Sequence, residues 1–208
     1  RTGYRSMEFD SHGEQSIIHF QEKKFRVSLI GKYNMENLAG AMKVCRELGI
    51  HEQEFLKAME PFRGAARRQE LLFKSEKLSV YRDFAHAPSK VRATVHGFRE
   101  SFKGKKLIAF LEIHTFSSLN KDFLPQYKGS MDKADEAVVY YNPEVVKHKK
   151  LEAISHEFVQ ACFGGTKVKV ITSREELKDL IQENSREERV LLLMSSGNFG
   201  GIELGVMK

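Results

Sequence analysis

The spacing of apolar residues changes period several times along the chain, and each change marks an element. "KLIAFLEI" (106–113) and "RVLLLMSSG" (189–197) open with unbroken apolar runs, as expected of strands covered on both faces. "LSVYRDF" (78–84), "EAVVYY" (136–141) and "KVKVIT" (167–172) have the Val, Ile, Tyr and Phe content of further strands. Between them the period lengthens. After Pro88, apolar residues fall at Val91, Val95, Phe98 and Phe102, which is one face of a helix with proline in its first turn. Helical segments are also expected around 121–133, near 151–162, and near 174–184 with Ser173 as its cap. From about residue 64 onward, strands and helices therefore alternate, which predicts an α/β fold with a mostly parallel sheet and helices on its faces.

Residues 1–62 break that rhythm. "SIIHFQEKKFRVSLIG" (16–31) reads as two short strands meeting at a Lys23–Lys24 turn. "NMENLAGAMKVCRELGI" (34–50) reads as a helix with Leu38, Met42, Cys45 and Leu48 on one face, and "HEQEFLKAMEPF" (51–62) as a second helix that Pro61 stops. This block reads as the tail of a preceding domain, with "RGAARRQE" (63–70) as a hinge. The chain opens "RTGYRS", without Met, and is expected to be a piece of a longer polypeptide.

Composition narrows the classes. A hydrophobic content of 41 % and a charged content of 30 % are those of a soluble globular protein, and no run approaches the roughly 20 apolar residues of a membrane helix. Two cysteines without metal or disulfide spacing suit a reducing compartment. The net charge of +6 fits a site for phosphates and carboxylates. No zinc knuckle, RNA-recognition signature or long Lys/Arg run points to nucleic acid. The P-loop pattern, H-E-x-x-H, C-x-x-C and G-x-S-x-G are all missing.

Candidate chemistry gathers where strands end, because open α/β sheets bind ligands at their carboxyl edge. Asp83, His114 and Ser195 fall there. Asp83 suits two ribose hydroxyls, and His86 stands beside the N-terminus of the Pro88 helix, where anions are favoured. A capping aspartate and a surface histidine explain both equally well. Asn34 and Asn37 offer amides matched to the edge of adenine, or plain helix capping. Arg67 and Arg68 offer guanidinium forks for phosphate, or a solvated pair near Glu70. Ser117 or Ser118 suits a helix cap, and the glycines of "SSGNFGG" (195–201) permit close backbone approach to a ligand.

The order of these stretches is more specific than any one of them. "GKYNMENLAGA", "FRGAARRQE", "DFAHAPSKVRAT", "LEIHTFSS" and "LLLMSSGNFGG" together resemble the Mur ligase family, ATP-dependent enzymes that build the peptide of the bacterial cell wall, over residues 31 to about 201. The resemblance implies that residues 1–62 end a central ATPase domain and that 63–208 form the Rossmann-like C-terminal domain. The P-loop, the metal ligands for Mg2+ and the UDP-sugar domain would lie upstream, in a cytoplasmic enzyme inactive as this piece alone. It implies Asn37 and Asn34 at adenine, Arg68 at the phosphates, Asp83 at ribose, and His86 near the phosphates and the reacting carboxyl. His114, Ser117, Ser195, Ser196 and Asn198 would face the peptide. Within the family, "RRQE", "DFAHAPS" and "MSSGNFGG" look closest to the murein peptide ligase branch. That branch joins UDP-N-acetylmuramate to L-alanyl-γ-D-glutamyl-meso-diaminopimelate in wall recycling. The alternatives are the related L-alanine-adding ligases, a pseudo-ligase and a non-catalytic nucleotide-binding module. Tyr33, Ala87 and His114 depart from the family pattern, standing in place of His, His and Arg.

Overall fold

A computed structural model describes residues 7–164, 168–185 and 188–202. The main body is a six-stranded sheet built from β4 (Glu70–Lys74), β5 (Leu78–Asp83), β6 (Lys106–Glu112), β7 (Glu136–Tyr140), β8 (Val168–Ile171) and β9 (Arg189–Met194). Its spatial order is β4-β5-β9-β6-β7-β8, parallel throughout except for β4, which pairs antiparallel with β5. The mostly parallel α/β architecture expected from the alternating pattern is therefore present. Lys167, where the sequence places the start of β8, lies outside the described residues.

Side chains alternate across this sheet, and both faces of its central strands are buried. Leu107, Ala109 and Leu111 of β6 and Val190, Leu192 and Met194 of β9 enter one core. That core also takes Val91, Val95 and Phe98 of α3 (Pro88–Ser101) and Val159 and Phe163 of α5 (His156–Phe163). Ile108, Phe110, Leu191 and Leu193 enter the opposite core, under Leu177 and Ile181 of α6 (Arg174–Asn184). Each fully buried Val, Leu or Phe contributes about 1.5–3 kcal/mol by leaving water, so the unbroken apolar runs are what this double cover requires. The path from β5 through β8 keeps its helices on the α3 face. The return to β9, in the gap between β5 and β6, runs by α6 on the other face. Reversing direction with the same crossover hand demands that change of face. The carboxyl ends of β5, β9 and β6 consequently lie side by side at the switch point.

The first residues form a smaller unit. β1 (Glu8–His12), β2 (Gln15–Phe20) and β3 (Lys23–Val27) make an antiparallel meander, covered by α1 (Lys32–Glu47) and α2 (Glu52–Met59) over a core of Ile18, Phe25, Val27, Met35, Leu38, Phe55 and Leu56. It seats against α3. The Gly13 N–H donates to Ser101 O at 2.7 Å, and Ile30 enters the core under α3. Gly31 and Gly97 meet backbone to backbone: a Cβ on either would lie 3.0 Å from the other's Cα.

Several expectations are corrected. The β2–β3 turn is Gln21–Glu22, both in left-handed conformation (φ 46 and 64), so Lys23 and Lys24 already belong to β3. β1 and β4 are strands that the sequence pattern did not reveal; β4 begins inside the expected hinge. The helix expected over 121–133 is a short 3-10 turn at Leu124–Tyr127 among further turns. Leu119, Leu124, Tyr127 and Met131 supply the apolar spacing, but packing against α5 and α3 buries them from a chain that Pro125 and Gly129 keep irregular. The helix expected over 151–162 begins only at His156, where the Ser155 hydroxyl accepts from the Phe158 N–H. An additional helix, α4 (Pro143–His148), precedes it, capped by Asn142. Leu48 is 75 % exposed rather than part of the α1 core face. Ser173 caps α6 as expected, accepting from the Glu176 N–H at 3.2 Å. Among the described residues no helix is long and apolar enough to cross a membrane.

Candidate functional site

Asp83 is the last residue of β5, and the period of the strand points it to the α3 face. It is 7 % exposed, and its carboxylate already accepts three hydrogen bonds. Oδ1 accepts from the Ala85 N–H (2.8 Å) and the Thr94 hydroxyl (3.3 Å), and Oδ2 from the Gln69 N–H (3.0 Å). Burial pushes its pKa up, against those three hydrogen bonds, which favour the charged form. Asp83 does not cap α3, whose N-cap is Ala87 without a side-chain bond; it shapes the turn before the helix through Ala85 and holds the linker before β4 through Gln69.

Gln69 is the knot of that linker. Its side-chain oxygen accepts from the Ile30 N–H (3.1 Å) and from the Asn34 amide (2.6 Å), while its own N–H is held by Asp83. Arg67 and Gln69 both sit in the left-handed region, at φ 60 and 48. Arg68 lies between them, exposed and turned to the same cleft. Glu70 does not pair with Arg68. It takes Arg82 at 2.8 Å and the Arg67 N–H at 2.8 Å, and the Arg82 guanidinium holds its carboxyl below the usual range.

His86 completes the cleft. Its Nδ1 lies 2.9 Å from Phe84 O; a carbonyl only accepts, so Nδ1 carries the proton and Nε2 is the second ring nitrogen. The Tyr127 hydroxyl donates to His86 O and fixes the backbone there. Ala87, the first residue of the α3 cap, supplies no side-chain hydrogen bond. Tyr33 and Lys90 close the cleft from α1 and α3, with Lys90 Nζ 4.0 Å from the Tyr33 ring centroid. Hydrogen bonds from Lys90 and Asn37 lower the phenol's pKa. The cleft encloses about 310 Å³, lined by Tyr33, Asn34, Arg68, Gln69, Asp83, Phe84, Ala85, His86, Lys90 and Thr94. Cationic Arg68 and Lys90 converge there with the imidazole and the amide end of a helix, a surrounding suited to a polyphosphate.

A second group occupies the opposite face of the same edge. His114 Nε2 lies 2.9 Å from the Ser196 hydroxyl. The Ser195 hydroxyl donates to Glu112. The Ser195 N–H donates to Asp83 O at 3.0 Å, which joins the two groups through β9.

The residues match a known domain across well over half of the chain: residues 67–197 fit the model of the Mur ligase, glutamate ligase domain. The chain belongs to the Mur ligase family. A UDP-N-acetylmuramate–L-alanine ligase from Desulfitobacterium hafniense is 26 % identical over 177 residues, covering 84 % of this chain and 39 % of the relative. The chain thus spans about two fifths of that relative's length, and less than half of the other curated relatives it matches. Two solved structures share its fold. The UDP-N-acetylmuramate–alanine ligase of Thermotoga maritima superposes with a TM-score of 0.70 at 18 % identity, over 93 % of this chain and 42 % of that one. The murein peptide ligase of Psychrobacter arcticus gives 0.55 at 22 % identity, over 96 % and 43 %.

In this Mur ligase chain, Asn34, Arg68, Asp83 and His86 line one cleft, and Asn37 is not among its lining residues. Asn34 is not an N-cap: α1 begins earlier, and its amide is spent on Ile30 O (3.0 Å) and Gln69. Asn37 lies a turn further on, exposed, near enough to Tyr33 to lower that phenol's pKa. Ser195, Ser196 and His114 form the second group. Ser117 is exposed, 3.3 Å from the Thr115 hydroxyl, and the side chain that holds this turn is the neighbouring buried Ser118. Asn198 accepts from the Gly201 N–H at 3.2 Å and caps a 3-10 turn at Phe199–Gly201. Sequence reasoning missed Gln69 and Glu112. Glu112 carried a usable signal, a carboxylate at the end of an otherwise apolar strand; Gln69 carried none.

Proposed function

We propose that the chain is the nucleotide-closing portion of an ATP-dependent carboxylate–amine ligase that acylates an L-alanyl amine with the carboxyl of UDP-N-acetylmuramate. Residues 1–62 would end the central ATPase domain and 63–208 form the C-terminal domain of that enzyme, which works in the cytoplasm. The observation that carries the reading is the cleft in which the linker's Arg68 stands with Asp83, His86 and Lys90 over the α3 N-terminus.

In the first step a muramate carboxylate oxygen attacks the γ-phosphorus of ATP, and the bond to ADP breaks. In the second, the amine attacks the acyl-phosphate carbon, phosphate departs, and the amine loses a proton. Negative charge accumulates around the transferred phosphoryl group, so fixed positive charge aimed at it lowers the barrier. Arg68 supplies that charge from the linker, and His86 Nε2 donates when protonated or accepts when neutral. Asn34 and Asn37 border the adenine and Asp83 the ribose. The protein ligands of the Mg2+ that accompanies ATP would lie in the upstream part of the enzyme.

Both acceptor readings form the same bond. The tripeptide L-Ala-γ-D-Glu-meso-diaminopimelate is supported by the "RRQE", "DFAHAPS" and "MSSGNFGG" stretches, with His114, Ser117, Ser195, Ser196 and Asn198 facing it. Free L-alanine is favoured by the activity of the Desulfitobacterium relative. Phosphate release by the full-length enzyme, with ATP, Mg2+ and UDP-N-acetylmuramate, separates them by the acceptor added. Tripeptide dependence supports the first, L-alanine dependence the second. Release with neither, alongside intact nucleotide binding, refutes the ligase reading and leaves a nucleotide-binding module.

A further inference from the structure

Glu112 ends β6 with a carboxylate that is 6 % exposed, in a strand whose other inward positions are apolar. A buried carboxylate is tolerated when its lone pairs are met. Here the loop after β9 meets them. Oε2 accepts the Ser195 hydroxyl and the Phe199 N–H (2.8 Å), and Oε1 accepts the Gly200 N–H (3.0 Å). Phe199 and Gly200 are both left-handed, at φ 52 and 63, and their successive N–H groups converge as a concave anion nest. The anion in that nest is supplied by the chain itself.

The loop is also pressed onto this carboxylate. A Cβ at Gly197 would lie 2.9 Å from His114 Nε2 and 3.0 Å from Glu112 Oε2, so the backbone there rests directly on both side chains. That seating leaves Ser196 2.9 Å from His114. We propose that Glu112 is a positioning residue for the acceptor: it wraps residues 195–201 around its carboxylate and so sets Ser196 against His114. The proposal rests on the ligase reading above, in which that pair faces the acceptor. Glu112 is enclosed by the loop it holds, and it points away from the Arg68 cleft, on the α6 face of the sheet. Its loss therefore acts on the acceptor and not on ATP.

Glu112→Gln tests this in the intact enzyme. The amide oxygen still accepts from Ser195 and Phe199, but the amide nitrogen turns a donor toward the Gly200 N–H. Hydrogen exchange at the Gly200 amide is expected to accelerate about tenfold or more, with a smaller change at Phe199. The acceptor KM is expected to rise about tenfold while the ATP KM stays within about twofold, the split that separates lost positioning from general damage. Glu112→Ala should enlarge both effects. Equal changes in the two KM values, or no change in either, overturn the proposal. If the unmodified enzyme forms no amide with any acceptor, the ligase reading falls separately. Exchange then judges the loop by itself: a faster Gly200 amide upholds Glu112 as its seat, and an unchanged one removes that role.

Discussion

Gln69 is the residue whose removal most directly tests how the linker is held. Gln69→Ala keeps the backbone N–H bonded to Asp83 but deletes the oxygen that accepts from Ile30 and Asn34. The Asn34 amide retains Ile30 O, so its loss is small. The Ile30 N–H is the costly one: Ile30 is 3 % exposed, and a buried donor left without a partner costs about 1–3 kcal/mol. Gln69→Ala should therefore lower stability by about 2 kcal/mol, read as a shift in the urea midpoint. Gln69→Gly loses the same acceptor but relieves the left-handed backbone at φ 48, which strains any residue with a Cβ by about 1–2 kcal/mol. Glycine's extra freedom in the unfolded chain gives back about 0.4–1 kcal/mol of that relief. Gly should thus be the milder substitution by about 0.5–1 kcal/mol, opposite to the usual order of Ala and Gly. Equal losses for the two variants would show that the backbone at Gln69 is not strained, and a loss in Gln69→Ala below about 0.5 kcal/mol would show that water reaches the Ile30 N–H and that the knot holds nothing.

On the ligase reading, Arg68→Ala in the full-length enzyme should lower turnover by about 10²–10³ while leaving the melting temperature unchanged, because the side chain is exposed; near-normal phosphate release refutes its phosphate role. The Glu70–Arg82 pair should stabilise the fold above the ordinary carboxyl value of 4.5, and that contribution should disappear as pH falls through the lowered folded value. Both side chains are about a third exposed, so solvent screening holds the effect to about 0.2–1 kcal/mol, and Glu70→Gln should flatten this part of the acid unfolding profile. Gly97→Ala sets a helix-propensity gain of about 1 kcal/mol against overpacking of about 1–3 kcal/mol where the new Cβ meets Gly31 Cα. A net loss, with weaker nucleotide binding as α1 is pushed off α3, is the expected result, and a clear gain in the melting temperature contradicts the contact.

The sequence by itself determined the sheet, because strands buried on both faces must be apolar throughout and the helices that cover them must carry a 3.6-residue stripe. β6, β9, α3 and α6 were legible for that reason. Capping chemistry made Ser173 legible, and the order of polar stretches at strand ends was specific enough to resemble one family. The irregular stretch 121–133 was not legible, since Leu124, Tyr127 and Met131 satisfy helical spacing while their burial is decided by α3 and α5. β4 was hidden because an edge strand bonds on one side only and needs no strong pattern. The sharing of work at the site was also a tertiary matter. Asp83 and Glu112 look alike in sequence, each a carboxylate closing a strand. The pleat sends Asp83 to the α3 face, where it holds the linker, and Glu112 to the α6 face, where it holds the loop after β9. Gln69 has no sequence signal at all, because its importance lies in two partners, Ile30 and Asn34, some 35 or more positions away that only the folded chain brings within reach.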